Sequence, residues 1–325
     1  MATSGSWDYS LTAAQVIQAA YEDLGVVAPG ETPATALQTL ALARLNILTK
    51  QWQGNSDLAP GIKVWTRKRV NLVLAKGQQT YTIGPASTDS RAAVLLGRTT
   101  LSAAAAANAT TLSITSNTDT TSFPGTTITM TASDFIGIEL NDGTVHWSTI
   151  SGTPASTAAI NAGLASAAAS GNYVWWFTSR AQRFPHIEAA YIRDENRNDT
   201  PLAVYHDLRA YELGVISKFS DGTPTAILVE PMTLNTVITL NSQPTDVTKT
   251  IVMVVLYPAE DYDSTSNDIA FPQEYYRYIV SELAFILSQF TGHWTDTHEA
   301  NRKEATAFAR ALNPETSDLY FHSGT

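Results

Sequence analysis

Between Arg98 and Arg180 the chain carries no lysine or arginine. This stretch, 99–179, is rich in Ala, Thr and Ser and broken into short alternating runs at 111–115, 127–131, 136–140, 145–150 and 173–178. Alternation at period two is the mark of half-buried strands. Asn141-Asp142-Gly143 sits between two of these runs and supplies the positive φ that a tight hairpin turn requires. Gly171-Asn172 is a second turn signal. The stretch therefore reads as a small all-β module set into a chain of different character. The alanines at 103–107 favour a helix by propensity, but five residues flanked by Thr do not decide it.

The flank before the module is helical and then β. Thr12 and Gln15 have capping-box spacing, and Val16, Ile17, Ala20, Tyr21 and Leu24 follow on one helical face until Gly25. Thr32-Pro33 starts a second helix, with Leu37, Leu40, Leu45, Leu48 and Trp52 as its buried stripe and Gly54 as its end. After Pro60 the period becomes two. Val70, Leu72 and Leu74 alternate, Lys76-Gly77 turns the chain, and Gln79, Tyr81 and Ile83 return, which predicts a β-hairpin.

The flank after the module predicts strands at 186–192, 201–204, 225–230 and 236–240, and a short helix at 206–213 ending at Gly214. Residues 251–257 are apolar throughout, as in a strand buried on both faces. Pro272 opens a helix with Tyr276, Ile279, Val280, Leu283, Leu287 and Phe290 on its apolar side, closed by Gly292. Asp296 or Thr297 caps a last helix with Ala300, Ala305, Phe308, Ala309 and Leu312 inward, ended by Asn313-Pro314. The expected fold class is α+β: a helical bundle formed by the N- and C-terminal helix pairs, with β-hairpins or a sheet and the inserted small all-β domain. The parts are 1–98 as the first half of a core, 99–179 as the module, 180–313 as the second half, and 314–325 as an extended tail.

The 325 residues are 44% hydrophobic and 15% charged, with a net charge of -10. Disordered chains combine low hydrophobicity with high charge, so disorder is not expected. An acidic balance argues against tight duplex binding, which draws on many cationic contacts to phosphate. With no cysteine, thiolate metal sites, iron–sulfur clusters, disulfides and cysteine nucleophiles are all excluded. Residues 1–10 show no basic and apolar signal-peptide pattern, and no uninterrupted apolar run of membrane-spanning length is present.

Candidate chemistry is sparse. His293, Asp296 and His298 have metal-ligating side chains but fall at an interhelix turn, where Asp is a capping residue. Glu260, Asp261, Asp263 and Asp268 have the flavour of a calcium loop, yet Ser266 and Pro272 stand where glycine and the closing glutamate belong. Glu22 and Asp23 are adjacent on a helix and point apart, unlike a glycosidase pair. Trp147, Trp175 and Trp176 offer either a sugar-stacking platform or core. Lys63, Trp65, Arg67, Lys68 and Arg69 form the one basic cluster, a candidate subunit or partner contact. A solvated, edge-protecting strand end and a DNA phosphate contact are its other uses. No catalytic residues, cofactor sites or metal ligands are expected.

Several segments in order resemble the head-to-tail adaptor proteins of tailed phages, the tail-accessory or packaged-DNA-stabilisation family of short-tailed phages. They are Thr12-Ala13-Ala14-Gln15-Val16-Ile17 through Tyr21-Glu22-Asp23-Leu24-Gly25-Val26, then Gly30-Glu31-Thr32, and the helix bearing Leu45, Trp52 and Gly54. Lys76-Gly77-Gln78-Gln79-Thr80-Tyr81-Thr82-Ile83-Gly84, Tyr191-Ile192-Arg193, Asp199-Thr200-Pro201-Leu202, Tyr211, Gly222-Thr223-Pro224-Thr225 and Phe271-Pro272-Gln273-Glu274-Tyr275 continue the series. Insertion 99–179 departs from the short members of that family.

The resemblance implies a structural virion protein with no enzymatic role and no cofactor. It implies a ring, a homododecamer, under the portal protein, assembled in the host cytoplasm and resident in the neck of the virion. Such a ring extends the DNA channel, retains packaged DNA without reading its sequence, and docks tail components: nozzle, tail-fibre or spike proteins. No membrane contact is implied. The family's C-terminal arm reaches the portal, which makes the apolar triplet Leu319-Tyr320-Phe321 the candidate portal-binding segment, docking by strand addition. Two rival readings are a tail-associated cell-wall hydrolase, which needs convergent carboxylates in a cleft, and a glycan-binding tail protein using the tryptophans of the insertion.

Overall fold

Strands from both sides of the basic-free stretch join in one eight-stranded sheet, and this overturns the expected fold class. In the computed structural model, which describes residues 9–54, 67–87, 91–122 and 126–311, the chain is mostly β. It is not a helical bundle carrying a small β insertion. Two compact units divide it: Met1–Thr66 with Pro258–Thr325, and Arg67–Tyr257.

The second unit holds twelve strands of use here. They are β1 (Arg67–Val73), β2 (Thr80–Ile83), β3 (Ala92–Ala93), β4 (Gly97–Thr100), β5 (Phe135–Glu139), β6 (Val145–Thr149), β7 (Tyr173–Phe177), β8 (Ile187–Arg193), β9 (Asp199–Tyr205), β10 (Ala226–Pro231), β11 (Thr236–Leu240) and β12 (Thr250–Leu256). The large sheet runs β2-β11-β10-β9-β8-β12-β1-β3. Its pairs are antiparallel except β9 with β10. That parallel pair is bridged by a short helix, Leu208–Gly214, as a parallel connection requires.

Period-two alternation fills the inside of this sheet. Val70 and Leu72 from β1, Ile251, Met253 and Val255 from β12, and Ile227, Val229, Ile238 and Leu240 from β10 and β11 form one buried cluster. β12 is also buried on its other face through Val252. The sheet curls until its ends approach. Tyr81 on β2 accepts a hydrogen bond from the Ala75 N–H at 2.9 Å, just past the end of β1, although β1 and β2 lie six places apart in the strand order. The expected hairpin between them is therefore corrected. The Ala75–Gln78 turn forms, with the Gln78 N–H on the Ala75 carbonyl at 3.2 Å, but it carries the chain across to pair with β11.

The insertion builds its own four-stranded sheet, ordered β4-β7-β5-β6. Asp142-Gly143 makes the β5–β6 turn, with Gly143 at φ 79° and its N–H on the Leu140 carbonyl. The alanines at 103–107 are not helical; Ala105 bridges Ala168 instead. Trp176 faces the module's own core, beside Ile136, Ile138 and Val174. Its neighbour Trp175 faces the other way, with Phe177, into a cluster with Val73, Ala93 and Val247 of the flanking segments. Two adjacent tryptophans on one strand thus serve two cores, as strand alternation dictates.

The other unit joins the chain's two ends. Its helices are α1 (Ala13–Asp23), α2 (Thr35–Gly54), α4 (Tyr276–Thr291) and α5 (Asp296–Ala311), with the short helix Leu208–Gly214 of the second unit counted as α3. Thr12 and Gln15 form the capping box of α1. Gly292 ends α4 in the left-handed conformation, φ 71°. Val16, Ile17 and Tyr21 of α1, Leu45 and Trp52 of α2, and Ile279, Leu283 and Leu287 of α4 share one core, reached by Ala309 of α5. Trp52 stacks on Tyr278 with centroids 4.8 Å apart and meets Phe271 edge-on. Phe290 and Phe308, expected inward, are about half exposed. Among the described residues no helix is long and apolar enough to cross a membrane.

Candidate functional site

His298 and Asp261 of the metal candidates have other partners, and Asp268 pairs through its backbone. His298 accepts a hydrogen bond at Nδ1 from the Thr295 N–H, 3.0 Å, and its ring lies against Trp294. Thr295, not Asp296 or Thr297, precedes the first residue of α5. Asp261 pairs with Lys50 at 2.7 Å on the surface, and Asp268 bridges Thr12. Among the described residues no three His, Asp or Glu side chains gather around one point.

Glu22 closes the turn after α1. It accepts from Gln18 Nε2 and from the Gly30 N–H, both at 2.8 Å. The Gln18 bond first and the Gly30 bond second hold its carboxyl below the usual range, despite some opposing burial.

The tryptophans form no sugar platform. Trp175 and Trp176 are fully buried, and Trp147 is half-buried beside Phe177. The backbone makes way for these rings. A Cβ on Gly97 would stand 2.2 Å from the Trp176 ring, and one on Gly137 would stand 2.8 Å from Trp147.

Of the basic cluster, Lys63 and Trp65 lie outside the described residues, as do Leu319, Tyr320 and Phe321. Arg67, Lys68 and Arg69 open β1, exposed, on the length that β3 does not cover, since β3 pairs only with Asn71 and Leu72. Arg67 pairs with Glu188 at 2.5 Å, and Lys68 sits over the Tyr257 ring at 4.5 Å.

A recess in the second unit gathers arginines from segments far apart in sequence. It has a cavity volume of about 40 Å³ and is lined by Arg98, Thr121, Ser122, Trp175, Arg193 and Arg197, among others. Arg98 follows the Gly97 that clears Trp176. Its guanidinium lies over Tyr173, 5.2 Å from the ring centroid, and donates to the Glu195 carbonyl at 3.2 Å. Arg193 ends β8 and makes a two-pronged pair with Asp199 at 2.8 and 2.9 Å. Arg197 stands at the tip of the β8–β9 turn with φ 67°, exposed, and its side chain has no partner among the described residues.

Asp119 organises the loop that brings Thr121 and Ser122 to the lining. Its carboxylate accepts from the backbone N–H groups of Arg98, Thr121 and Ser122 and from the hydroxyls of Thr121 and Ser122. Burial alone pushes its carboxyl up; the bonds from Ser122 and Thr121, with the Arg98 amide, outweigh burial and hold it below the usual range. In the sequence Arg98 stands only as a boundary and Arg193 only within a motif, and nothing there brings them together in a recess. The available signal was modest: a five-residue polar turn, 194–198, carrying an arginine between two strands.

No protein-family model matches the chain, and no curated protein is similar enough in sequence to stand as a relative.

Proposed function

We propose that the chain is a structural virion protein: a head-to-tail adaptor that forms a ring under the portal, extends the DNA channel, retains packaged DNA and docks tail components. The observation that carries the reading is a run of apolar side chains left in solvent. Leu213, Ile216 and Phe219 follow one another within seven residues at 77%, 102% and 81% exposure. Ile47, Phe290 and Phe308 of the helical unit are also about half exposed. Monomeric soluble proteins seldom leave large aromatic and aliphatic groups bare in clusters, whereas assembling subunits bury them against neighbours. The ordered motif series set out above supplies the kind of assembly. A net charge of -10 suits a channel that lets DNA slide past without holding it.

Light-scattering mass measurement after size exclusion tests the reading. The wild-type chain is expected to self-associate, or to do so once purified portal is added. Ile216→Asp with Phe219→Asp is expected to remain folded and stay monomeric in both conditions. A wild-type chain that stays monomeric with portal present rejects the proposal.

A further inference from the structure

We propose that the recess between the β8–β9 turn and the Asp119 loop binds a phosphate-class oxyanion, either free phosphate or the phosphate of a small phosphomonoester. The proposal is independent of the adaptor reading. Three guanidiniums, Arg98, Arg193 and Arg197, line one small cavity. None of the cavity's lining residues is acidic. Four carboxylates belong to the surrounding segments: Asp199 is held by both prongs of Arg193, Asp119 by five donors from its own loop and from the Arg98 amide, Asp194 by Asn198, and Glu195 meets the Tyr173 hydroxyl at 3.5 Å. Among the described residues none of the four forms an ion pair with Arg98 or Arg197.

Arg193 is already neutralised by Asp199, which leaves Arg98 and Arg197 as the two guanidiniums a single anion would satisfy. Arg98 is held in place without a carboxylate, by the Tyr173 face and the Glu195 carbonyl. Arg197 is presented from a left-handed backbone position that an arginine rarely adopts. Guanidiniums arriving from β4 and from the β8–β9 turn offer donors from two segments, and Arg193 adds only the N–H groups not spent on Asp199 and Tyr191. That arrangement suits a tetrahedral acceptor with three or four oxygens better than a planar carboxylate, which one fork saturates. A cavity volume of about 40 Å³ exceeds what one water needs and suits a small oxyanion.

Calorimetric titration of the full chain at low ionic strength tests this with three probes: inorganic phosphate, phosphoserine and malonate. Saturable binding of phosphate or phosphoserine, with malonate weaker, is the expected result. Phosphoserine binding without phosphate binding assigns the site to an ester, and binding of both assigns it to the bare anion. Arg197→Asn, chosen because Asn tolerates the left-handed backbone, is expected to weaken binding by about tenfold or more without altering the melting temperature. Arg98→Gln is expected to weaken binding comparably but also to melt lower, since it loses the Tyr173 and Glu195 contacts, and Lys303→Gln in the other unit is expected to change nothing. Absence of saturable binding by both phosphate probes overturns the proposal. So does malonate binding as tightly as phosphate, or affinity unchanged in both arginine variants.

Discussion

Asn46 on α2 holds both backbone groups of Tyr262, a residue 216 positions away: its Nδ2 donates to the Tyr262 carbonyl and its Oδ1 accepts from the Tyr262 N–H, each at 2.8 Å. The side-chain amide stands in for a strand edge and ties the chain's return from the β unit to the N-terminal helices. Asn46→Ala leaves a part-buried donor and acceptor without partners, which costs about 1–3 kcal/mol. Asn46→Asp keeps the acceptor for the Tyr262 N–H but sets a carboxylate oxygen against the Tyr262 carbonyl, so it is expected to lose at least as much. Urea unfolding of the two variants checks this; an Asn46→Asp variant as stable as wild type would show that the bond to the Tyr262 carbonyl contributes nothing.

Gly97 and Gly137 make a graded pair. Alanine at 97 drives a methyl into the fully buried Trp176 ring, and alanine at 137 meets Trp147 at longer range on a half-buried ring. Overpacking of this kind costs about 1–3 kcal/mol, and more where nothing can shift. Gly97→Ala is expected to be the more destabilising of the two by denaturant midpoint. The reverse order would contradict the packing described for β4 and β7.

Tyr81 predicts an alkaline limit for the curled sheet. Burial, the largest effect, pushes its hydroxyl up to about 12 from 10.0, partly opposed by the Ala75 backbone bond and by Arg91. A raised folded value means that the neutral form stabilises the fold. The contribution is complete below pH 10 and is lost as pH rises through 12, about 2–3 kcal/mol over that window. Tyr81→Phe also removes the Ala75 bond, so it starts less stable and falls less steeply between pH 10 and 12. Stability measured across that range checks the slope; identical slopes would refute the assignment.

Glu282 and Arg302 join α4 to α5 through two bonds, 2.9 and 3.1 Å, while the same guanidinium covers Phe285 at 3.8 Å. Glu282 is nearly buried, so removing its partner strands a charge. Arg302→Met keeps cover over Phe285 but strands Glu282, whereas the double change with Glu282→Leu removes both charges. The single variant is expected to melt lower than the double. A double variant less stable than the single would mean that the ion pair itself stabilises the helices.

Local structure is legible in this sequence, and long-range pairing is not. The β11 strand, the α1 capping box and the stop at Gly292 appear where composition and turn chemistry put them, because each depends on residues within one or two turns. The fold class failed because β1 and β12 are adjacent across 176 intervening residues, and no local pattern announces that pairing. Lys76-Gly77 carried a true turn signal, yet the partner of β2 was decided by the fit of Tyr81 and Ile83 into the core shared with Ile238. The recess was hidden for the same reason. Arg98, Arg193 and Arg197 converge only once β4 and the β8–β9 turn are in place.

The most direct test of the adaptor account is the mass and image of the complex formed when this chain is mixed with purified portal. Native mass spectrometry and cryo-EM class averages are expected to show a homododecameric ring seated under the portal with an open axial channel. A chain that remains monomeric beside intact portal, with no added density on its tail-facing side, would contradict the account.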